Sequence, residues 1–303
     1  MNIKKKKKKR KKRHMMMKKK RKFVDKVQAL KEWSWIFVDS VGASYDLYSK
    51  GIPHTVETYS SAKPFFYWAD DFTIVESCKG IRSGDEELFN KKYSVIKEND
   101  WSAPEYKKHY LKKLEKYPNL KSEKPVIVIN NKYNGEWGQK IPYNYLPLDF
   151  LKYFIKLFHK DYQIYYIRHI GAENTYNKGY LDDAGSYDNI EPYGDYDLIH
   201  GKYPSVITIY DILKQDFAKG LDYNELQMML LSQSKYIISV NGGNAILSAY
   251  FGEELMIYGH PNCKSTKRRV WRSDSWLKEL NDTKIIGCVD SAKMLGECIL
   301  RWL

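Results

Sequence analysis

No stretch of the sequence approaches the roughly 18 apolar residues of a bilayer-spanning helix, and no apolar leader-type segment follows the basic start of the chain. Cysteine is scarce. Cys78, Cys263, Cys288 and Cys298 stand far apart without CxxC spacing, which excludes a disulfide framework of the secreted kind and fits reduced thiols. GxSxG, HExxH and GxxxxGK[ST] are all missing, so the familiar serine hydrolase, zincin and P-loop chemistries have no anchor. His260 and Cys263 are two zinc-type ligands with no second pair at a suitable spacing, so no metal site is expected. Together these absences describe a cytoplasmic protein.

Acidic residues are missing before Asp25, and what stands there instead is a block of positive charge. The formal net charge of +14, if evenly spread, would describe a nucleic-acid-binding surface. Residues 4–13 and 18–22 alone supply 15 Lys and Arg, and setting them aside leaves 36 against 37 Asp and Glu. The body from residue 23 is therefore near neutral. A run of like charge around Met15, Met16 and Met17 cannot bury enough apolar surface to offset its ordering entropy, so residues 1–22 are expected to form a disordered polybasic tail. Such a tail reads as a dispensable solvated extension. The other reading is an address: nuclear targeting, or contact through residues 4–22 with an anionic membrane surface or nucleic acid.

The polar, proline-bearing stretch 117–124 (YPNLKSEK) divides the body into a smaller N-terminal α/β domain, residues 23–120, and a C-terminal domain, residues 121–303. Beyond it, short runs apolar on both faces alternate with helical spacing. Strands are predicted at 126–130, 162–167, 204–209, 236–240, 255–258 and 285–289, and helices at 146–159, 224–231, 245–251, 276–280 and 292–302. That alternation implies a mostly parallel sheet covered on both sides, a Rossmann-like domain. In the N-terminal part, 34–39 (SWIFVD) and 72–76 (FTIVE) read as strands, with helices at 85–91 and 104–116. The Gly-, Tyr- and Asp-rich segment 171–197 reads as a long insertion.

One segment carries the functional reading. Residues 235–252 (KYIISVNGGNAILSAYFG) place Gly242 and Gly243 between a strand and a helix, at the carboxyl end where open parallel sheets bind ligands. Glycine there permits positive φ and close approach to the backbone, and Asn244 is a natural cap of a helix start that favours phosphate. Asn131 and Lys132, Arg168 and His169, and Gly259 and His260 follow other strands, so a parallel sheet would gather them on the same rim. Arg168 has the planar fork for bidentate phosphate binding and Lys132 a point charge.

The succession VIVINNK (126–132), YYIRH (165–169) and YNELQMMLLSQSKYIISVNGGNAILSAYFGEELMIYG (223–259) resembles the C-terminal half of GT-B-fold glycosyltransferases, of the kind found in bacterial capsule clusters and large DNA viruses. The resemblance covers residues 124–260. It implies an α/β, GT-B-like fold whose C-terminal Rossmann-like domain binds a nucleotide-sugar while the smaller N-terminal domain receives a glycan acceptor. By it, Gly242, Gly243 and Asn244 would lie under the diphosphate and Arg168 or Lys132, beside Asn131, would neutralise it. Glu225 and Gln227 would lie nearer the nucleoside, with no cofactor or metal beyond the nucleotide-sugar. The N-terminal part is short for a full partner domain.

Glycosyl transfer through an oxocarbenium-like state expels a charged nucleoside diphosphate and requires a base on the acceptor hydroxyl when it inverts. The candidates are Asp39 at the end of a predicted strand, His54, His169 on the rim, and the pair Asp70 and Asp71. Asp195-Tyr196-Asp197 matches a metal-binding DxD string but reads as a solvated loop. Tyrosines at 133–145 and 176–196 suit stacking on sugar rings. Two further readings remain: a ketal pyruvyltransferase of similar architecture, separated by UDP or GDP binding, and a non-catalytic nucleic-acid-binding protein dependent on the tail.

Overall fold

The computed structural model describes residues 26–30, 36–75, 103–136, 142, 144–169, 185–186, 192–261, 277, 280 and 283–303. A small parallel sheet comes first, built from β1 (Lys26–Ala29), β2 (Thr55–Thr58) and β3 (Phe72–Ile74) in that order, with α1 (Gly42–Ser49) in the first crossover. Then follow α2 (Tyr106–Leu114), β4 (Val126–Asn130), β5 (Gly135–Glu136), α3 (Leu148–Phe158), β6 (Gln163–Ile167), β7 (Gly185–Ser186) and α4 (Asp195–Lys202). The chain continues with β8 (Ile207–Thr208), α5 (Ile209–Leu213), α6 (Tyr223–Ser232), β9 (Ser234–Val240), α7 (Gly243–Ser248), β10 (Glu254–Tyr258), β11 (Lys284–Cys288) and α8 (Ser291–Trp302).

Six of these strands form one all-parallel sheet in the order β11-β10-β9-β4-β6-β8. Read from β8, and counted in chain order within this sheet, the strands run third, second, first, fourth, fifth, sixth. That is the doubly wound Rossmann arrangement, and its direction reverses between β4 and β9. The α/β class with a Rossmann-like C-terminal sheet and a smaller N-terminal unit is thus as the sequence led us to expect. The strands are legible because their residues are buried on both sides: β4 and β10 have no exposed residue.

Alternation sorts their side chains into two cores. Ile127, Ile129, Ile164, Tyr166 and Ile238 point to the face covered by α3 and α8. Val126, Val128, Tyr165, Ile167 and Ile237 point to the other, where they share one cluster with α2, α6, α7 and the apolar residues of the small sheet. Aromatic rings join the small sheet to the large one there. Phe37 meets Phe65 at 4.8 Å and Tyr250 at 6.3 Å, and Tyr106 stacks on Phe251 at 5.7 Å. Asn224 Nδ2 donates to the Ser61 carbonyl (2.8 Å), tying α6 to the 3-10 turn Ser60–Phe66.

Several expectations need correction. Residues 34–39 are not a strand: Ile36–Val41 is a π-helical turn that runs into α1. Its Ile36, Phe37 and Val41 are buried, and a short apolar run carries no periodicity to separate helix from strand. The strand expected at 204–209 shrinks to Ile207–Thr208, because a capping box between Thr208 and Asp211 starts α5 at Ile209. Cys288 and Cys298 are free and buried. Cys78 and Cys263, the tail and the helix expected at 85–91 lie outside the described residues, as does most of that expected at 276–280.

Because one core serves both sheets, urea unfolding should be a single transition, coincident by tyrosine and tryptophan fluorescence and by far-ultraviolet circular dichroism. Tyr106→Ala, which empties its centre, should cost about 3–5 kcal/mol.

Candidate functional site

The crevice of a doubly wound sheet opens where the strand order reverses, here above the carboxyl ends of β4 and β9. Lys132 and Gly242 face each other across it. Gly242 has φ +131°, a conformation that side chains rarely adopt, and a β-carbon added there would lie 3.4 Å from Lys132 Nζ. The ammonium group therefore rests against backbone that only glycine leaves bare. Gly243 opens α7, and Asn244 is its second residue. Asn244 is therefore not the helix cap that was expected; Gly242 occupies that position, with no side-chain cap bond.

Asn131 sits between Asn130 and Lys132 but points to the opposite face. Its Nδ2 donates to Tyr166 Oη (2.9 Å) and Tyr193 Oη (3.4 Å), and its Oδ1 accepts from the Leu146 amide (3.0 Å). Asn144 Nδ2 donates to the Asn241 carbonyl (2.6 Å), so the loop ahead of α3 bridges the crevice on the α3 side. Asn131 braces this loop, and the structure gives its buried amide that work instead of a ligand.

Arg168 is likewise engaged. Its Nε and Nη2 form a fork on Asp195 (2.5 and 2.7 Å), while Tyr166 Oη donates to the same carboxylate (2.6 Å). The Tyr196 and Tyr193 rings cover the guanidinium at 4.8 and 5.6 Å. Asp195 is therefore no solvated loop residue: it is 1% exposed, at the start of α4, and compensates the buried charge of Arg168. The DxD string works here as half of a buried ion pair. Three of the loop tyrosines pack on one another: Tyr133 stacks on Tyr193 at 4.5 Å, and Tyr145 meets both edge-on; Tyr143, Tyr176, Tyr180 and Tyr187 lie outside the described residues.

The remaining candidates disperse. His54 lies at the amino end of β2, away from the carboxyl edge where that sheet would bind, with Nε2 bonded to Ser44 Oγ (2.7 Å) and Nδ1 to the Ile52 carbonyl (3.0 Å). Asp71, just before β3, accepts from Thr55 Oγ1 (2.5 Å). The Asp39 side chain lies outside the described residues. Glu225 is in the first turn of α6 but pairs with Lys113 of α2. His169 alone stays on the rim, near the Tyr223 and Tyr210 rings at 5.9 and 6.5 Å. Burial, aided by the Arg168 charge, pushes its pKa down to about 4. It is neutral at physiological pH, but a base that weak gives little driving force for abstracting a hydroxyl proton.

No family model matches the chain, and no curated protein does. Among solved structures, a glycosyl transferase family 9 protein of Veillonella parvula DSM 2008 is 11% identical with a TM-score of 0.36, over 82% of this chain and 60% of that one. The ADP-heptose lipopolysaccharide heptosyltransferase II of E. coli is 12% identical, TM-score 0.36, over 86% and 79%. A UDP-GlcNAc 2-epimerase of Neisseria meningitidis bound to UDP-GlcNAc is 12% identical, TM-score 0.30, over 91% and 76%. At such values the likenesses decide nothing about activity, which has to be argued from the crevice.

Asp195→Asn should lower stability by about 3–5 kcal/mol, since it leaves Arg168 buried without its counter-charge. His169 has a folded pKa below the ordinary value, so the stability it contributes is full above about pH 6.5 and is lost as pH falls toward 4. Asp222, raised to about 7 by burial, acts in the opposite sense over an overlapping range. His169→Asn keeps the Asp222 slope and removes the other, so the drop in urea midpoint from pH 6.5 to pH 4.5 should be smaller in the variant than in the parent.

Proposed function

We propose that this chain is a glycosyltransferase that holds the diphosphate of a nucleotide-sugar in the crevice between β4 and β9. The observation that carries the reading is the approach of the Lys132 ammonium group to the bare Gly242 backbone at the reversal of strand order. A leaving diphosphate needs a cation and unobstructed peptide N–H groups, and at this corner the two stand together. The amide groups opening α7 follow directly at Gly243 and Asn244.

The loop after β4, which in dinucleotide-binding proteins is a short glycine-rich turn, is here long and closed by the Asn131, Asn144 and Tyr193 bonds. Phosphate is thereby left the β9–α7 turn. Arg168 takes no direct part in this reading, since Asp195 already opposes its charge. Lys132 and main-chain amides stabilise the departing charge without a metal, and the small N-terminal sheet, packed beside α6 and α7, supplies the acceptor side.

Calorimetric titration of the full chain with UDP, GDP and ADP tests this. One of them should bind and raise Tm, with binding unaffected by EDTA. Lys132→Ala should weaken it by about 1.5–3 kcal/mol, the range for a hydrogen bond to a charged group, and should abolish release of that diphosphate from its nucleotide-sugar. Indifference to every nucleoside diphosphate would overturn the proposal.

A further inference from the structure

Asn130 is the last residue of β4, directly before Asn131. In the structure the two point to opposite sides. Val126 and Val128 belong to the cluster beneath the small sheet, and alternation directs Asn130 and then Lys132 to that same side, at the crevice. Asn130 is 1% exposed, and its Nδ2 finds no hydrogen-bond acceptor among the described residues. Its register partners are Ser239 of β9, whose hydroxyl donates to the Val240 carbonyl (3.1 Å), and Ile167 of β6. Neither relieves it.

A buried amide donor without an acceptor lowers stability, and every other position of β4 is apolar. A residue that costs stability in a strand otherwise built for burial has its use elsewhere. Two residues farther along the same side stands Lys132, whose Nζ reaches Gly242 at the crevice, so the buried amide lies beneath the corner that the ammonium group occupies. An anion bound at this corner would meet the charge of the one and offer the other the acceptor that it lacks.

We infer that Asn130 is a ligand-binding residue whose Nδ2 donates to an oxygen of the diphosphate held by Lys132. This inference rests on the nucleotide-binding reading above. The amide adds orientation to the point charge of lysine: a planar donor fixed in a strand selects where the phosphate oxygen sits, and an ammonium on a flexible stem does not.

Asn130→Val tests it, with inorganic pyrophosphate and UDP, GDP and ADP as probes. Valine matches the neighbouring strand residues and removes the lone donor, so the ligand-free variant should melt at the same temperature as the parent or higher. Its affinity for the diphosphate that the parent binds should fall at least about tenfold. In the parent, the Asn130 side-chain NH₂ resonance should shift when pyrophosphate is added, a readout that does not depend on the variant folding. A lower Tm for Asn130→Val, or an NH₂ signal unmoved by a pyrophosphate that binds, makes Asn130 structural and overturns the inference while leaving the diphosphate site intact. If the parent binds no diphosphate at all, both readings fall together.

Discussion

A parallel sheet that is apolar on both faces cannot fold with one of them bare, and the rest of this molecule follows from that. The α3 and α8 helices cover one side of the six-stranded sheet. The other side is closed by α2, α6 and α7 together with the small N-terminal sheet, in one continuous cluster from Ala29 to Ile285. The N-terminal residues are therefore part of the core of the larger sheet. Burial of Phe37, Phe65, Tyr106, Tyr250 and Phe251, each large and each almost inaccessible, sets how the two sheets are held.

The same division by faces organises the chemistry at the strand ends. On the α3 side, Asn131, Tyr166, Arg168, Tyr193 and Asp195 satisfy one another and fix the loops above the sheet. Such a lattice is expensive to disturb and holds geometry in place. On the other side, Asn130, Lys132 and Gly242 converge where the order of strands reverses. One rim thus carries a rigid bracket on one flank and the candidate binding groups on the opposite one.

Much of this was legible from residue types. Val126–Asn130 and Gln163–Ile167 were readable as strands because they are short runs rich in β-branched or aromatic residues between polar segments, the first of them opened by Pro125. Residues 36–41 misled because a short, mostly apolar run shows no period that distinguishes a π turn from a strand. The glycine pair marked the correct corner, but the role of Asn244 as a cap failed, since Gly242, two residues past the end of β9, takes the cap position and the helix starts two residues earlier. Asp195 could not be assigned from sequence, because its partner Arg168 is 27 positions away and only folding brings them together. Asn130 was within reach: period-two alternation alone puts it beside Lys132 and sets Asn131 apart.

The central strand also has a history. β4 lies between β6 and β9 in the finished sheet, yet β9 is made about a hundred residues after it. At ribosomal speeds this interval lasts about 5–20 s, during which VIVIN presents one open hydrogen-bonding edge with no charge to guard it. Until β9 arrives, the middle of the finished sheet is an edge that can pair with strangers.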